Sequence, residues 1–449
     1  DGKASTIDQF IDEILKEKKD INNKKFKVWY KQNGTPKVKF RRIWDEKNRS
    51  LIIKVSQSNP NKKNPYNELP LIIPINIAII SNQNELITKT IILKKKKEEF
   101  IFENIKNNFR NPIVTYFRSF SAPVDWETDT TFDEKLLIIE YEKDYFTIFD
   151  TVKNIYNLII TNRLKGETDI KIENKFIKTL KSIVRNNKNI NLSLLSEILT
   201  IPTFSEIESE LKNIDPIKVY KTIDELNNIF GTQMRKELLN KIGEIEKNIL
   251  KIWPEGKDER KLIETIWKLL LHSNHKETKI KIMNYVNSDS MTLAKAALNV
   301  FIRIDCPERE NISTIFFEKW KYNSVVLDSW FSYNASIEIN DNQKSIDNLF
   351  KNKYFDLKSP NTLRSILNSY VTRNSLFHSQ DGSGYRYIAN KILEFDKINP
   401  IVISRFLKIF SRFKYYAEPY RSEMFEILKY IKKHKLSKNT TEVIDAIIE

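Results

Sequence analysis

The sequence predicts a multidomain protein of two unlike parts, a β-sandwich followed by a large all-α array in the manner of an irregular α-solenoid. Three observations carry this. Seven of the 14 prolines fall in the first 123 residues and the other seven are spread over the remaining 326. Between Phe26 and Phe102 the apolar residues cluster in short β-branched and aromatic runs divided by turn-forming residues. Beyond residue 123 the apolar spacing turns helical and stays so to the end. The 449 residues suffice for several domains with their own cores, and 26 Phe, 18 Tyr and 7 Trp supply ring area that a disordered chain lacks.

Residues 1–22 come first. Ile7, Phe10, Ile11, Ile14 and Leu15 recur at helical spacing, with Asp8 and Asp12 early in the run, which predicts a short amphipathic helix. Residues 23–122 read as the sandwich. Phe26-Lys27-Val28-Trp29-Tyr30, Val38-Lys39-Phe40, Leu51 to Val55, Ile75 to Ile80 and Phe100-Ile101-Phe102 are strand-like, and Asn33-Gly34-Thr35-Pro36 and Asp45-Glu46-Lys47-Asn48 are turn-like. Residues 123–449 form the helical array. Leu262, Ile263, Ile266, Trp267, Leu269 and Leu270 mark one buried helix face, and Ser288-Asp289-Ser290 offers an N-cap to a run from Leu293 to Ile304. Pro202, Pro216, Pro254, Pro307, Pro360, Pro400 and Pro419 fall at helix boundaries, because the residue before a proline is pushed out of the helical region. No fixed-period repeat is visible, so helix pairs would stack irregularly.

Charge follows the same borders. The net charge of +16 divides into −2 over residues 1–20, +14 over 21–120 and +4 over 121–449. The excess sits in clusters such as Lys37, Lys39, Arg41, Arg42 and Lys94 to Lys97. Lysines on exposed strand edges explain such clusters without a ligand, and nucleic acid is not expected as a partner.

Several chemistries are excluded. With 8 glycines there is neither a dinucleotide-binding G-x-G-x-x-G nor a phosphate-binding Walker loop, and Gly382-Ser383-Gly384 lacks the third glycine and a preceding strand. His272 and His275 are three apart with no carboxylate between them, so the H-E-x-x-H zinc arrangement fails and the pair reads as a polar helix end. No G-x-S-x-G elbow occurs. The one cysteine, Cys306, forms no internal disulfide and reads as a packing thiol, which suits a reducing, cytoplasmic setting. The longest apolar stretch, Leu69 to Ile80, is broken by Pro70, Pro74 and Asn76 and is shorter than the roughly 20 residues of a spanning helix.

A set of motifs in fixed order then adds a resemblance. Asp1-Gly2, Trp29-Tyr30-Lys31-Gln32-Asn33-Gly34-Thr35-Pro36, Leu71-Ile72-Ile73-Pro74, Phe120-Ser121-Ala122-Pro123-Val124, Glu197-Ile198-Leu199-Thr200-Ile201-Pro202 and Ile214-Asp215-Pro216 open the series. Lys319-Trp320, Asp328-Ser329-Trp330-Phe331, Phe377-His378 and Asp381-Gly382-Ser383-Gly384-Tyr385 complete it. Together they resemble the carboxy-terminal half of the bacterial aminopeptidase N (alanyl aminopeptidase) family of gluzincin zinc metallopeptidases, over essentially the whole chain.

The resemblance implies that this chain is a non-catalytic half of such an enzyme. Residues 1–22 would be the helical tail of a missing catalytic domain, 23–122 the sandwich, and 123–449 a bowl over the active-site cleft that lines the primed subsites. The family's H-E-x-x-H zinc site, its G-x-M-E-N loop and its oxyanion-stabilising tyrosine have no counterpart here, so zinc would be bound by the missing domain and this chain alone would bind none and cleave nothing. Implied partners are the enzyme's own amino-terminal and catalytic domains and peptide substrates, and an apolar patch is expected on the face formed with residues 1–22. The motifs place the family's two substrate-facing arginines at Arg364 and Arg405. A guanidinium can grip a peptide carboxylate or carbonyl bidentately; on the residues alone, an internal ion pair or a snorkelling helix arginine is the other reading. Phe377 to Tyr385 reads as a structural inter-helix loop, and Trp320 and Trp330 read as core anchors. The competing reading is a stand-alone helical scaffold whose basic β module binds nucleic acid or an acidic partner.

Overall fold

The computed structural model describes residues 4–16, 22–61, 63–81, 84–105, 112–186, 190–339 and 341–449. The Asp1-Gly2 start of the resemblance lies outside the described residues. The chain divides into two compact units, Asp1–Ile155 and Tyr156–Glu449, with the division inside the helix Tyr145–Lys165.

The first unit opens with the helix Ile7–Leu15. Thr6 and Gln9 satisfy each other's backbone N–H groups at its start, in a capping box. Ile11 and Leu15 are buried, while Ile7, Phe10 and Ile14 are more than half exposed. The expected strand at Phe26 to Tyr30 is instead two short helical turns, Asn23–Phe26 and Val28–Lys31. The reason lies in side-chain direction. Val28 and its neighbour Trp29 both pack on the sandwich core, and Trp29 donates to the Ile72 carbonyl at 2.9 Å. A strand would turn two successive side chains to opposite faces.

Among the described residues seven strands follow: β1 Lys37–Asp45, β2 Ser50–Ser58, β3 Ile73–Ser81, β4 Asn84–Leu93, β5 Lys97–Phe102, β6 Ile113–Thr115 and β7 Asp125–Glu127. They form two sheets, ordered β5-β2-β1-β7 and β4-β3-β6. Period-two alternation sends Val38 and Phe40, Leu51, Ile53 and Val55, and Ile73, Ile75, Ile77 and Ile79 into one shared core between the sheets. The strands around Val38, Leu51, Ile75 and Phe100 were expected from sequence, whereas β4, β6 and β7 were not. The sheet takes in β7, beyond the boundary expected at residue 122, through parallel pairing with β1. β3 is buried on its second face as well, where Ala78 and Ile80 meet Ile113 of β6 and Ile138 of the helix Phe132–Tyr141. Arg42 fastens that helix down, with a bidentate pair to Glu134 (3.1 and 2.9 Å) and a further pair to Asp129 (2.7 Å). Other members of the basic clusters are also paired, Lys39 with Glu127 and Lys96 with Glu68.

Among its described residues the second unit is helical, apart from an isolated bridge between Ile214 and Tyr416. Pro216, Pro360 and Pro400 occupy the first turns of their helices, where the missing N–H costs nothing. Ser290 is the N-cap of Met291–Ile302, two residues earlier than the expected run, although its own hydroxyl makes no capping bond. The helix Lys257–His272 is central and packs against Leu192–Leu199, Pro216–Gln233, Arg235–Ile249 and Met291–Ile302. Gly231 sets the closest of these approaches, since a Cβ there would stand 2.0 Å from the Leu269 carbonyl oxygen. Trp330 donates to the Ser313 carbonyl at 3.0 Å and packs on Phe317. No helix of the described residues is long and apolar enough to cross a membrane.

Candidate functional site

The central helix has two faces. Leu262, Ile263, Ile266, Leu269 and Leu270 fill the core, and Glu264, Thr265, Lys268 and His272, spaced by about one turn, line a cavity of about 600 Å³. The helix Pro216–Gln233 does the same. Val219, Leu226 and Phe230 are fully buried, while Tyr220, Asp224 and Asn227 reach the cavity. Arg303 just follows the helix Met291–Ile302, Glu338 follows Ser324–Ala335, and Arg373 ends Pro360–Arg373. Apolar residues such as Ile201, Phe204, Ile223 and Ile302 complete the walls.

The electrostatics are set by enclosure. Burial, then the charge of Glu338, pushes the Asp224 carboxyl up to about 6. Burial lowers Arg303, and the like charge of Arg373 adds to the effect. Burial and the nearby Lys268 and Arg303 charges lower His272 to about 4, so its imidazole is neutral at pH 7. Glu264 accepts from Asn299 at 2.6 Å, and Glu338 accepts from the Ser375 N–H at 2.9 Å. Asp224 and Arg303 also act on each other as opposite charges, with Lys268 adding to the field at Asp224 and Glu338 to that at Arg303.

Behind one wall lies a buried aromatic cluster. Phe204 and Tyr220 stack at 4.7 Å with planes 2° apart. His378, fully enclosed, hydrogen-bonds the Tyr385 hydroxyl through Nδ1 at 2.9 Å and stacks on Tyr416. Burial lowers its pKa to about 3. Its segment is a turn, Ser375–His378, followed by the helix Ser383–Phe395, so Ser383 to Tyr385 belong to a helix rather than to the expected loop. Gly384 allows the close crossing, since a Cβ there would lie 2.3 Å from the Phe377 carbonyl oxygen.

The expected site residues stand elsewhere. Arg364 is half-buried in the middle of Pro360–Arg373, and Arg405 is exposed in the last turn of Pro400–Phe406. Neither lines the cavity. Neither forms an internal ion pair among the described residues. Arg373, nine residues beyond Arg364 and so about 13 Å along the helix, is the one that reaches it. The cavity residues left a faint signal in the sequence, the one-turn spacing of Glu264, Lys268 and His272 on the polar side of a clearly apolar helix. Asp224, Arg303, Glu338 and Arg373 left none, since only tertiary packing brings them together. A zinc ion does not fit this donor set. Among the described residues no three His, Cys, Asp or Glu side chains converge, and His275 Nδ1 is engaged with Thr278.

Comparison with known proteins agrees with this architecture. Residues 34–129 match a family model described as a domain of unknown function with an Ig-like fold (DUF3458), and residues 133–449 match one described as a domain of unknown function of ARM repeats (DUF3458_C). Aminopeptidase N of Escherichia coli is 23% identical over 447 residues, covering 96% of this chain and 51% of that protein. Aminopeptidase N of Haemophilus influenzae is 24% identical over 466 residues, covering 100% of this chain and 53% of that protein. The chain thus spans about half the length of the curated relatives it matches. A crystal structure of Legionella pneumophila aminopeptidase A in complex with aspartic acid shares the fold with a TM-score of 0.87 at 22% identity, over 100% of this chain and 52% of that one.

Proposed function

We propose, from the premise that this chain belongs to the DUF3458_C family of ARM-repeat domains and carries the DUF3458 Ig-like domain before it, that it is the carboxy-terminal half of a zinc-dependent aminopeptidase. The observation that carries the reading is the end-to-end match to aminopeptidase N relatives twice its length. The zinc, bound in the other half, would polarise the scissile carbonyl and activate a water. This reading assigns the zinc ligands to that other half and expects this chain alone to be inactive.

Its role is to close over the cleft and to hold the far end of the peptide. Arg364 and Arg405 carry guanidiniums that nothing in the described chain neutralises, and a planar fork of this kind suits a peptide carboxylate or carbonyl. The partner surface is the outer face of Ile7–Leu15. Ile7, Phe10 and Ile14 are 58%, 58% and 54% exposed, and their spacing sets them on one stripe. The catalytic domain is the occupant that this reading assigns to the stripe. A cytoplasmic setting completes the reading.

The test is hydrolysis of alanyl arylamide and of an alanyl tripeptide, by this chain alone and by the chain joined to its catalytic half, with zinc present. The chain alone should be inert and the joined protein active. In the joined protein, Arg364→Gln and Arg405→Gln should each raise KM for the tripeptide about tenfold and leave the arylamide, which has no carboxylate, unchanged. Activity of the isolated chain would sink the division of labour. An equal effect on both substrates would remove the arginines from substrate recognition.

A further inference from the structure

Early and late parts of the helical unit are joined. Along much of its length helices pack on near neighbours in sequence, Lys276–Val286 on Met291–Ile302, Met291–Ile302 on Arg309–Trp320, and Arg309–Trp320 on Ser324–Ala335. Solenoid arrays built in this way are open, and their stability runs from neighbour to neighbour. Here an early segment also meets a late one, with Arg412 standing 204 residues beyond its partner Glu208. Arg412 Nη2 donates to the carbonyls of Glu208, Ser209 and Leu211 at 2.9, 3.3 and 3.4 Å, which caps the carbonyl end of the helix Phe204–Glu210. Tyr416 Oη donates to the Glu208 carboxylate at 2.9 Å. The Ile214 N–H donates to the Tyr415 carbonyl and the Ala417 N–H to the Ile214 carbonyl, both at 2.8 Å. His378 touches both sides, with its ring 5.1 Å from that of Phe204 and 5.6 Å from that of Tyr416.

This seam is lightly built. The helix Phe204–Glu210 has 7 residues, too few to hold without tertiary support. The backbone pairing is one isolated bridge rather than a ladder. Arg412 Nε stands 3.8 Å from the Glu208 carboxylate and makes no hydrogen bond among the described residues. Burial outweighs both Tyr416 and Arg412 and holds the Glu208 carboxyl above its ordinary value. A partly satisfied polar network on a short element is where a fold opens first.

We infer that these contacts are a clasp that shuts the helical array, and that the array opens there in one step. Residues 204–216 and 411–420 part together while the helices between them stay folded. Neither side leaves alone, because Arg412 and Tyr416 both grip the end of one helix at Glu208. Opening bares the rings of Phe204, Tyr220, His378 and Tyr416, and with them the cavity wall that Phe204 and Tyr220 form. The clasp uses none of the residues of the peptidase reading and stands without it.

Hydrogen exchange of the intact chain in rising, sub-denaturing urea, read by mass spectrometry, tests the clasp. Peptides covering 204–216 and 411–420 should lose protection together, with one urea dependence, before peptides of the central helix Lys257–His272. Arg412→Gln and Tyr416→Phe should each speed exchange at least tenfold in both segments, including the one that carries no substitution, and leave Lys257–His272 unchanged. If a variant fails to fold, the urea series on the unaltered chain decides the matter. Separate urea dependences for the two segments, acceleration confined to the substituted segment, or acceleration spread evenly over the chain overturns the inference.

Discussion

At the scale of single residues, His378 shows how burial fixes protonation. It is 1% exposed, and one ring nitrogen bonds Tyr385 while the other, Nε2, finds no partner among the described residues. Aromatic rings surround it, so the charged form has no solvent to stabilise it and its pKa falls from 6.5 to about 3. In the unfolded chain it takes up a proton near pH 6.5, in the native chain only near 3. Its contribution is therefore fully present above pH 6.5 and is lost as pH falls towards 3, with about 2 kcal/mol gone by pH 5. The neutral variant His378→Leu should consequently show a smaller loss of stability between pH 7 and pH 5 than the parent chain, read from urea unfolding at the two values. An unchanged difference would mean that the imidazole reaches water. Asp224 acts in the opposite direction: its raised pKa makes the native state hold the extra proton, so its own share of stability declines as pH rises from about 4 to 6. Neither effect is legible in the sequence, because a histidine between Phe377 and Ser379 looks the same whether or not Phe204 and Tyr416 close over it.

At the scale of elements, the apolar spacing announced the helices and prolines announced many of their starts, since Pro216, Pro360 and Pro400 impose the backbone angle that a first turn needs. Phe26 to Tyr30 deceived for a physical reason. Aromatic and β-branched residues favour strands only where alternate side chains face alternate sides, and here Val28 and Trp29 share one core. Gly231 is the element-scale counterpart of His378. A lone glycine inside a helical pattern reads as a blemish, yet it is what lets the Pro216–Gln233 helix approach the Leu269 carbonyl. Alanine there has an intrinsic helix advantage of roughly 0.5–1 kcal/mol over glycine. Against this stands a 2.0 Å clash with backbone rather than with a movable side chain, and overpacking of that kind costs about 1–3 kcal/mol. The clash wins, so Gly231→Ala should lower the urea midpoint. A stability equal to or above wild type would show that the two helices can slide apart freely.

At the scale of the whole molecule, the change of apolar period near residue 123 is a change of secondary structure and not the edge of a folding unit. The first compact unit runs to Ile155. It includes β7, paired with β1, and the helix Phe132–Tyr141, whose Ile138 covers Ala78 and Ile80 on the outer face of β3. Arg42, read from sequence as one of a basic cluster, spends its charge on Asp129 and Glu134 within this junction. A fragment ending at residue 122 would leave that arginine, 10% exposed in the intact unit, without either carboxylate, and removing one side of such a buried pair costs about 3–5 kcal/mol. It would also bare the apolar outer face of β3. For an Ig-sized domain with a total stability of roughly 5–15 kcal/mol, these losses approach the whole. A fragment of residues 22–155 should therefore unfold cooperatively in urea and show a well-defined near-ultraviolet dichroism, whereas residues 22–122 should lose that signal while keeping strand content. Equal cooperativity of the two would mean that the sandwich is self-sufficient and that the helix Phe132–Tyr141 is only a linker to the array beyond it.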